Sequence, residues 1–247
     1  MINRILLIPF LFFTVQSFAQ DATEIIRKSE QKMLGESSET TMSMKIVRPK
    51  WERTISFKTW SLGTDYSMVL ITYPAKEKGQ VFLKRKNEMW NYVPSISKMI
   101  KLPASMLSQG WMGSDFSNDD LLKESSLEKD YTHKILGSEN MGGYDCYKIE
   151  LMPKENAVVV WGKMIKWVEK KEYFQMKSEY FDEDMKLVKT ETASEIKKMD
   201  DRMLPTHFEL IPAGKPQQKT VMNIESAKFN VKLSETFFSQ QNMKTVK

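Results

Sequence analysis

The sequence predicts a mainly β protein: one long meandering antiparallel sheet with a helix at its N-terminal end. Three observations predict it. Residues 21–34, DATEIIRKSEQKML, space their apolar side chains as a helix does, whereas almost everything after Gly35 alternates with period two. The alternating stretches are short and separated by Gly, Asn, Pro or Lys-rich turns of hairpin length. Some of them, such as YSMVLITY, are apolar on both faces, so the sheet must be covered on each side.

The chain opens on MINRILLIPFLFFTVQSFAQ. Arg4 supplies a short positive region, and Ile5 to Val15 form an apolar core too short to span a bilayer comfortably. Ser17 and Ala19 then present the small-x-small pattern of a cleavage site, which reads as an export signal removed after Ala19. No Cys follows the apolar core, which argues against a lipid anchor. The expected mature protein is a soluble periplasmic chain of one domain, residues 20–247.

In the first helix Ala22, Ile25, Ile26, Met33 and Leu34 share a stripe, and Gly35 is the natural stop. The strands then follow as TMSMKIV, RTISFKTW, YSMVLITY, QVFLKRK and EMWNYV, and later as DYTHKILGSE, GGYDCYKIEL, IKWVEKKEYFQMKSEYF, MKLVKTETASEI, LPTHFELIP and QQKTVMNIES. About ten consecutive strands with short connections describe a meander. Two segments interrupt it: Pro94 to about Glu128, and KLSETFFSQQNMK, which reads as a short helix or coil capping an end of the sheet.

A long antiparallel sheet curls as it twists, so its concave face can enclose side chains or a ligand. The candidates for that face are Met42, Met44, Ile46, Ile55, Phe57, Met68, Leu70, Trp90 and Tyr92. The 18 methionines suit a surface that adapts to variable apolar partners, and equally an ordinary methionine-rich core.

Little in the chain suggests catalysis. His133 and His207 stand alone in strand-like runs with no second ligand at useful spacing, and no nucleophile elbow, phosphate loop or CxxC is present. The expectation is no enzyme, no metal and no cofactor. The single cysteine, Cys146, cannot form an internal disulfide and reads as a buried inert thiol. In SDFSNDD, Ser117 or Asn118 caps a helix starting near Asp119; the run lacks the spacing of a calcium loop. The formal net charge of +5 fits the vicinity of an anionic membrane surface and is weak evidence for nucleic acid.

Residues 106–117, MLSQGWMGSDFS, combine loop-forming glycines with Met106, Leu107, Trp111, Met112 and Phe116. A loop carries side chains this apolar if it folds over an apolar cavity. Gly110 and Gly113 flank Trp111 and Met112 and would let such a lid move, while a fixed plug that completes the core is the alternative.

The signal peptide, the N-terminal helix and the strands leading into NEMWNYVP resemble the LolA/LolB-like superfamily. The matching positions are Asn87, Met89, Trp90, Tyr92 and Pro94. SQGWMGSDFSNDDL and SAKFNVKLSETFF resemble the branch of outer-membrane lipoprotein-sorting proteins. The resemblance implies an unclosed curved β-barrel, with a helical or loop lid over an apolar cavity that carries the acyl chains of lipoproteins or lipids toward the outer membrane. It also implies a possible inner-membrane transporter or permease as partner; a sensor or adaptor for such a protein is the alternative function. The carrier is expected to be a monomer. The chain departs from the pattern in SLGTDYSMVLITYP, which lacks the arginine that helps to hold the lid in the family's carriers.

Overall fold

The computed structural model describes residues 21–247 apart from 87, 124–126, 156 and 158. The leader, its cleavage site and Asn87 of the Trp-x-Tyr-x-Pro motif therefore lie outside the described residues. Helix α1 (Ala22–Leu34) begins at Asp21, whose side chain accepts from the Thr23 N–H, and stops at Gly35 with φ 63°.

Among the described residues thirteen strands follow, rather than the eleven alternating stretches read as about ten strands. The first meander holds β1 (Ser37–Arg48), β2 (Trp51–Leu62), β3 (Tyr66–Tyr73), β4 (Val81–Arg85), β5 (Glu88–Val93) and β6 (Lys98–Lys101). After α2 (Asn118–Lys123) and α3 (Leu127–Asp130), the second holds β7 (Tyr131–Met141), β8 (Tyr144–Pro153), β9 (Lys163–Glu169), β10 (Gln175–Phe181), β11 (Leu187–Met199), β12 (Arg202–Pro212) and β13 (Lys219–Phe229). The two extra strands are β6 and the division of IKWVEKKEYFQMKSEYF into β9 and β10.

All pairings are antiparallel, and the first and last strands join the meanders, Met44 facing Met222 and Met42 facing Ile224. The order β6-β5-β4-β3-β2-β1-β13-β12-β11-β10-β9-β8-β7 leaves β6 and β7 as unpaired edges, so the curled sheet is an unclosed barrel.

Each face has its own cover. On the inner face α1 buries Ile25 and Ile26 against Ile149, Leu151, Met164 and Val168 of the second meander. On the outer face of β2–β5 the C-terminal segment buries Phe238 and Met243 against Trp60, Met68, Leu70 and Leu83. That segment is two 3-10 turns, Glu235–Phe237 and Asn242–Lys244, lying across the sheet rather than capping its end. It is pinned where Tyr66 Oη donates to Glu235 Oε2 at 2.7 Å. Among the described residues no helix is long and apolar enough to cross a membrane.

Candidate functional site

Between α1 and the inner face lies a cavity of ≈ 260 Å³. Alternation on β1 and β2 turns Ser38, Thr40 and Met42 inward beside Ser61, Thr59 and Phe57, each pair directly opposite in the ladder. Phe208, Met222 and Ile224 of β12 and β13 continue the apolar floor, and Ile26, Met33 and Leu34 of α1 form the roof. At one end stand Trp111 and Phe116; at the other the cavity reaches Thr64 and the exposed Gly63 in the β2–β3 turn, facing the last turn of α1. The size falls just below the ~300–1,000 Å³ of ordinary ligand pockets, room for one chain rather than a bundle.

The structure divides the nine candidate cavity residues. Met42 and Phe57 line the space. Met44, Ile46 and Ile55 belong to the same core cluster, fully buried, and support it without lining it. Met68, Leu70, Trp90 and Tyr92 face the other way, into the cluster under the C-terminal segment. They lie out of phase with Phe57. The β2–β3 turn pairs Leu62 with Tyr66 and so sets the register, in which Phe57 pairs with Ile71 while Met68 faces Trp60 and Leu70 faces Lys58. The inward residues of β3 are Val69 and Ile71.

The loop residues also divide. The Trp111 ring, 1 % exposed, packs edge-on against Phe57 with centroids 5.3 Å apart and against Phe82 at 5.4 Å. Phe116 is buried in the same cluster and Met112 packs on its margin. Leu107 instead joins Met89 in a separate small cluster, and Met106 is half-buried outside both. Trp111 N–H donates to the Phe116 carbonyl, and Gly110 and Ser117 form an antiparallel bridge, so the loop closes on itself. Gly110 serves that closure, because a Cβ there would lie 2.6 Å from the Ser114 carbonyl oxygen.

Charged side chains then tie the closed loop to the sheet. Arg48 Nη1 and Nη2 donate to Asp115 Oδ2 and Oδ1, both at 3.0 Å, and Arg48 also reaches the Gly113 carbonyl. Arg53 donates to the Met112 carbonyl, and Thr220 Oγ1 to Asp115 Oδ2 at 2.7 Å. Ser117 and Asp120 cap α2 reciprocally: Asp120 N–H donates to Ser117 Oγ and Ser117 N–H to Asp120 Oδ2. Asp120 in turn accepts from Trp161 Nε1 at 2.9 Å and pairs with the buried Lys189. Arg48, at the end of β1, is thus the arginine that ties this loop to the sheet, and its trace in the sequence is an arginine at a hairpin.

One wall of the cavity is polar. Lys166 donates to Gln175 Oε1, and Gln175 Nε2 to Glu191 Oε1 at 2.9 Å. On the opposite side Ser38 and Ser61 share a hydrogen bond at 2.6 Å and Thr40 bonds Thr59. Among the described residues Trp111 Nε1 has no acceptor, although a buried indole N–H ordinarily finds one.

The two histidines lie apart from this space. His133 bonds Thr23 Oγ1 and the Leu127 carbonyl, and burial lowers its pKa. His207 bonds Asn223 Oδ1 at 2.8 Å. Cys146 is fully buried, and burial, with Glu169 and Asp145 nearby, pushes its thiol up to about 11. Among the described residues no three His, Cys, Asp or Glu side chains group as a metal site.

This fold and cavity have relatives. A family model described as "Uncharacterized protein" matches residues 63–245. The chain belongs to that family. Among solved structures, a DUF1329 family protein from Desulfovibrio piger is 25% identical with a TM-score of 0.81, covering 90% of this chain and 97% of that one. A LolA superfamily protein from Nitrosomonas europaea is also 25% identical, with a TM-score of 0.78 and coverage of 91% and 100%. A domain from Vibrio parahaemolyticus assigned to the outer membrane lipoprotein-sorting proteins shares 22% identity at a TM-score of 0.79, covering 90% and 98%, and shows the fold alone. The architecture is the LolA-like one. No curated protein matches the chain.

Proposed function

We propose that the chain is a periplasmic carrier that holds one acyl chain of a lipid or lipoprotein in the cavity beneath α1, without catalysis, and delivers it toward the outer membrane. The observation that carries this reading is the cavity itself: apolar floor and roof, closed at one end by Trp111 and Phe116 and reaching the exposed β2–β3 turn at the other. The likeness in fold to a LolA superfamily protein supports it. Each buried methylene contributes ~0.8 kcal/mol, so a segment of ~8 carbons is held by about 6 kcal/mol before entropic costs. The chain enters between the last turn of α1 and the β2–β3 turn, and residues 110–117 act as an anchored plug.

Binding of N-phenyl-1-naphthylamine, a probe that fluoresces in apolar sites, tests the reading. Met42→Trp fills the cavity from a half-buried position, and Phe57→Glu places a carboxylate on its floor. Each variant, with native circular dichroism, should bind the probe at least about tenfold more weakly. Undiminished binding in both folded variants would remove the cavity from the function.

A further inference from the structure

The cavity is not uniformly greasy, and its polar groups have a pattern. Its lining carries Lys84 and Lys166 against Glu30, Asp120 and Glu191, and Lys189, paired with Asp120, stands just behind the wall. The formal charges around the space therefore cancel. A charged head group brought inside would lose its hydration and meet no excess of opposite charge, a large uncompensated cost. A neutral head group meets no such penalty. Two hydroxyl pairs, Ser38 with Ser61 and Thr40 with Thr59, also face the space, and a hydroxyl can turn to donate or accept as a guest requires.

The second observation is the unpartnered indole. Trp111 is 1 % exposed and lines the cavity, yet among the described residues its Nε1–H has no acceptor. Out of reach even of water inside the cavity, the N–H gains a hydrogen bond when the ring turns to meet an oxygen acceptor that arrives there. A hydrocarbon cannot supply that acceptor; the carbonyl of an acyl ester or amide can.

Resting on the lipid-binding reading above, we propose that the cavity selects an uncharged amphiphile. That is a single acyl chain joined through an ester or amide carbonyl to a neutral hydroxylated head, with the carbonyl oxygen accepting from Trp111 Nε1–H. The ligand thus lies with its polar junction inside the protein, against the plug.

Displacement of N-phenyl-1-naphthylamine by three twelve-carbon amphiphiles, each below its micelle concentration, tests this. The probes are 1-monolauroylglycerol, laurate and dodecyltrimethylammonium. The neutral ester should displace the dye at least about tenfold more effectively than either ion. Trp111→Phe keeps an aromatic ring and removes the N–H, and should shrink the advantage of the ester over dodecyltrimethylammonium, which has no acceptor, about fivefold. Glu191→Gln leaves the wall with an excess positive charge and should shift the ratio of ester to laurate toward laurate. Equal displacement by ester and ion in the wild type, or ratios unmoved in both variants, overturns the head-group inference and leaves the carrier reading intact. Failure of the wild type to bind the dye at all sinks the carrier reading instead.

Discussion

Replacing Arg48 by Met removes the cation that ties the plug to the sheet and leaves Asp115 in place. The two side chains are only 14% and 11% exposed and meet through two hydrogen bonds of 3.0 Å. Breaking a fully buried pair by deleting one partner costs ~3–5 kcal/mol. About a tenth of each group remains hydrated here, and Thr220 still donates to Asp115, so about 2–3 kcal/mol is expected. For a chain of this size that lowers Tm by about 4–10 °C. Much of the loss is the stranded carboxylate. Adding Asp115→Asn to Arg48→Met should therefore restore about 1 kcal/mol, a coupling readable from urea unfolding of the two singles and the double. The same proteins separate plug from lid. A plug loses stability without gaining affinity for N-phenyl-1-naphthylamine, whereas a lid loosened by the substitution loads more readily. A loss under about 0.5 kcal/mol, strictly additive singles, or tighter dye binding would refute the anchored plug.

Three further outcomes follow from the same geometry. Gly110→Ala drives a Cβ to 2.6 Å from the Ser114 carbonyl oxygen and should destabilise by about 1–3 kcal/mol in urea unfolding, whereas Gly113→Ala meets no neighbour and should cost only the strain of an alanine at φ 81°, about 1–2 kcal/mol. Cys146, buried and with its thiol at about 11, should resist a disulfide-exchange reagent at pH 8 in native protein and react at once in denaturant. His133 has its pKa lowered by burial, so below ~6.5 the unfolded chain binds the proton more readily than the folded one. Stability should be full above ~6.5 and fall as pH drops from there toward the lowered value; in His133→Gln that part of the slope should vanish from Tm measured between pH 7 and 5.

Elements whose signal is local were legible in the sequence, and relations between distant residues were not. The α1 stripe, Gly35 as its stop and the capping of α2 at Ser117 each depend on a few adjacent residues. The inward phase of β1 and β2 was legible because Met42, Met44, Ile55 and Phe57 alternate with polar neighbours. On β3 every position from Met68 to Ile71 is apolar and buried, so alternation carries no phase, and the register set by the turn that pairs Leu62 with Tyr66 decides which side chains turn inward. Phe208, Met222 and Ile224 carried a usable signal in THFELIP and TVMNIES, but pairing β13 with β1 requires knowing that the last strand returns to the first. The Arg48–Asp115 tie spans 67 residues, and no periodicity reports such a pair.

The route into the cavity follows from weighing these ties against what a ligand returns. Opening at residues 110–120 must break Arg48–Asp115 and Lys189–Asp120 and lift Trp111 from between Phe57 and Phe82. Taking about 2 kcal/mol for each pair and ~3 kcal/mol for the ring gives about 7 kcal/mol, so the loop stands open in about one molecule in 10⁵. An acyl segment that contributes about 6 kcal/mol on burial cannot hold that state open on its own. At the other end, Met33 and Leu34 of α1 and Gly63 and Thr64 of the β2–β3 turn are partly exposed and all line the cavity, so a chain entering there breaks neither ion pair. Release through the plug would then require a protein partner that competes for Asp115 or Asp120. Release past α1 requires only an apolar acceptor such as a membrane, and on the proposed carrier reading that difference makes the α1 end the working mouth.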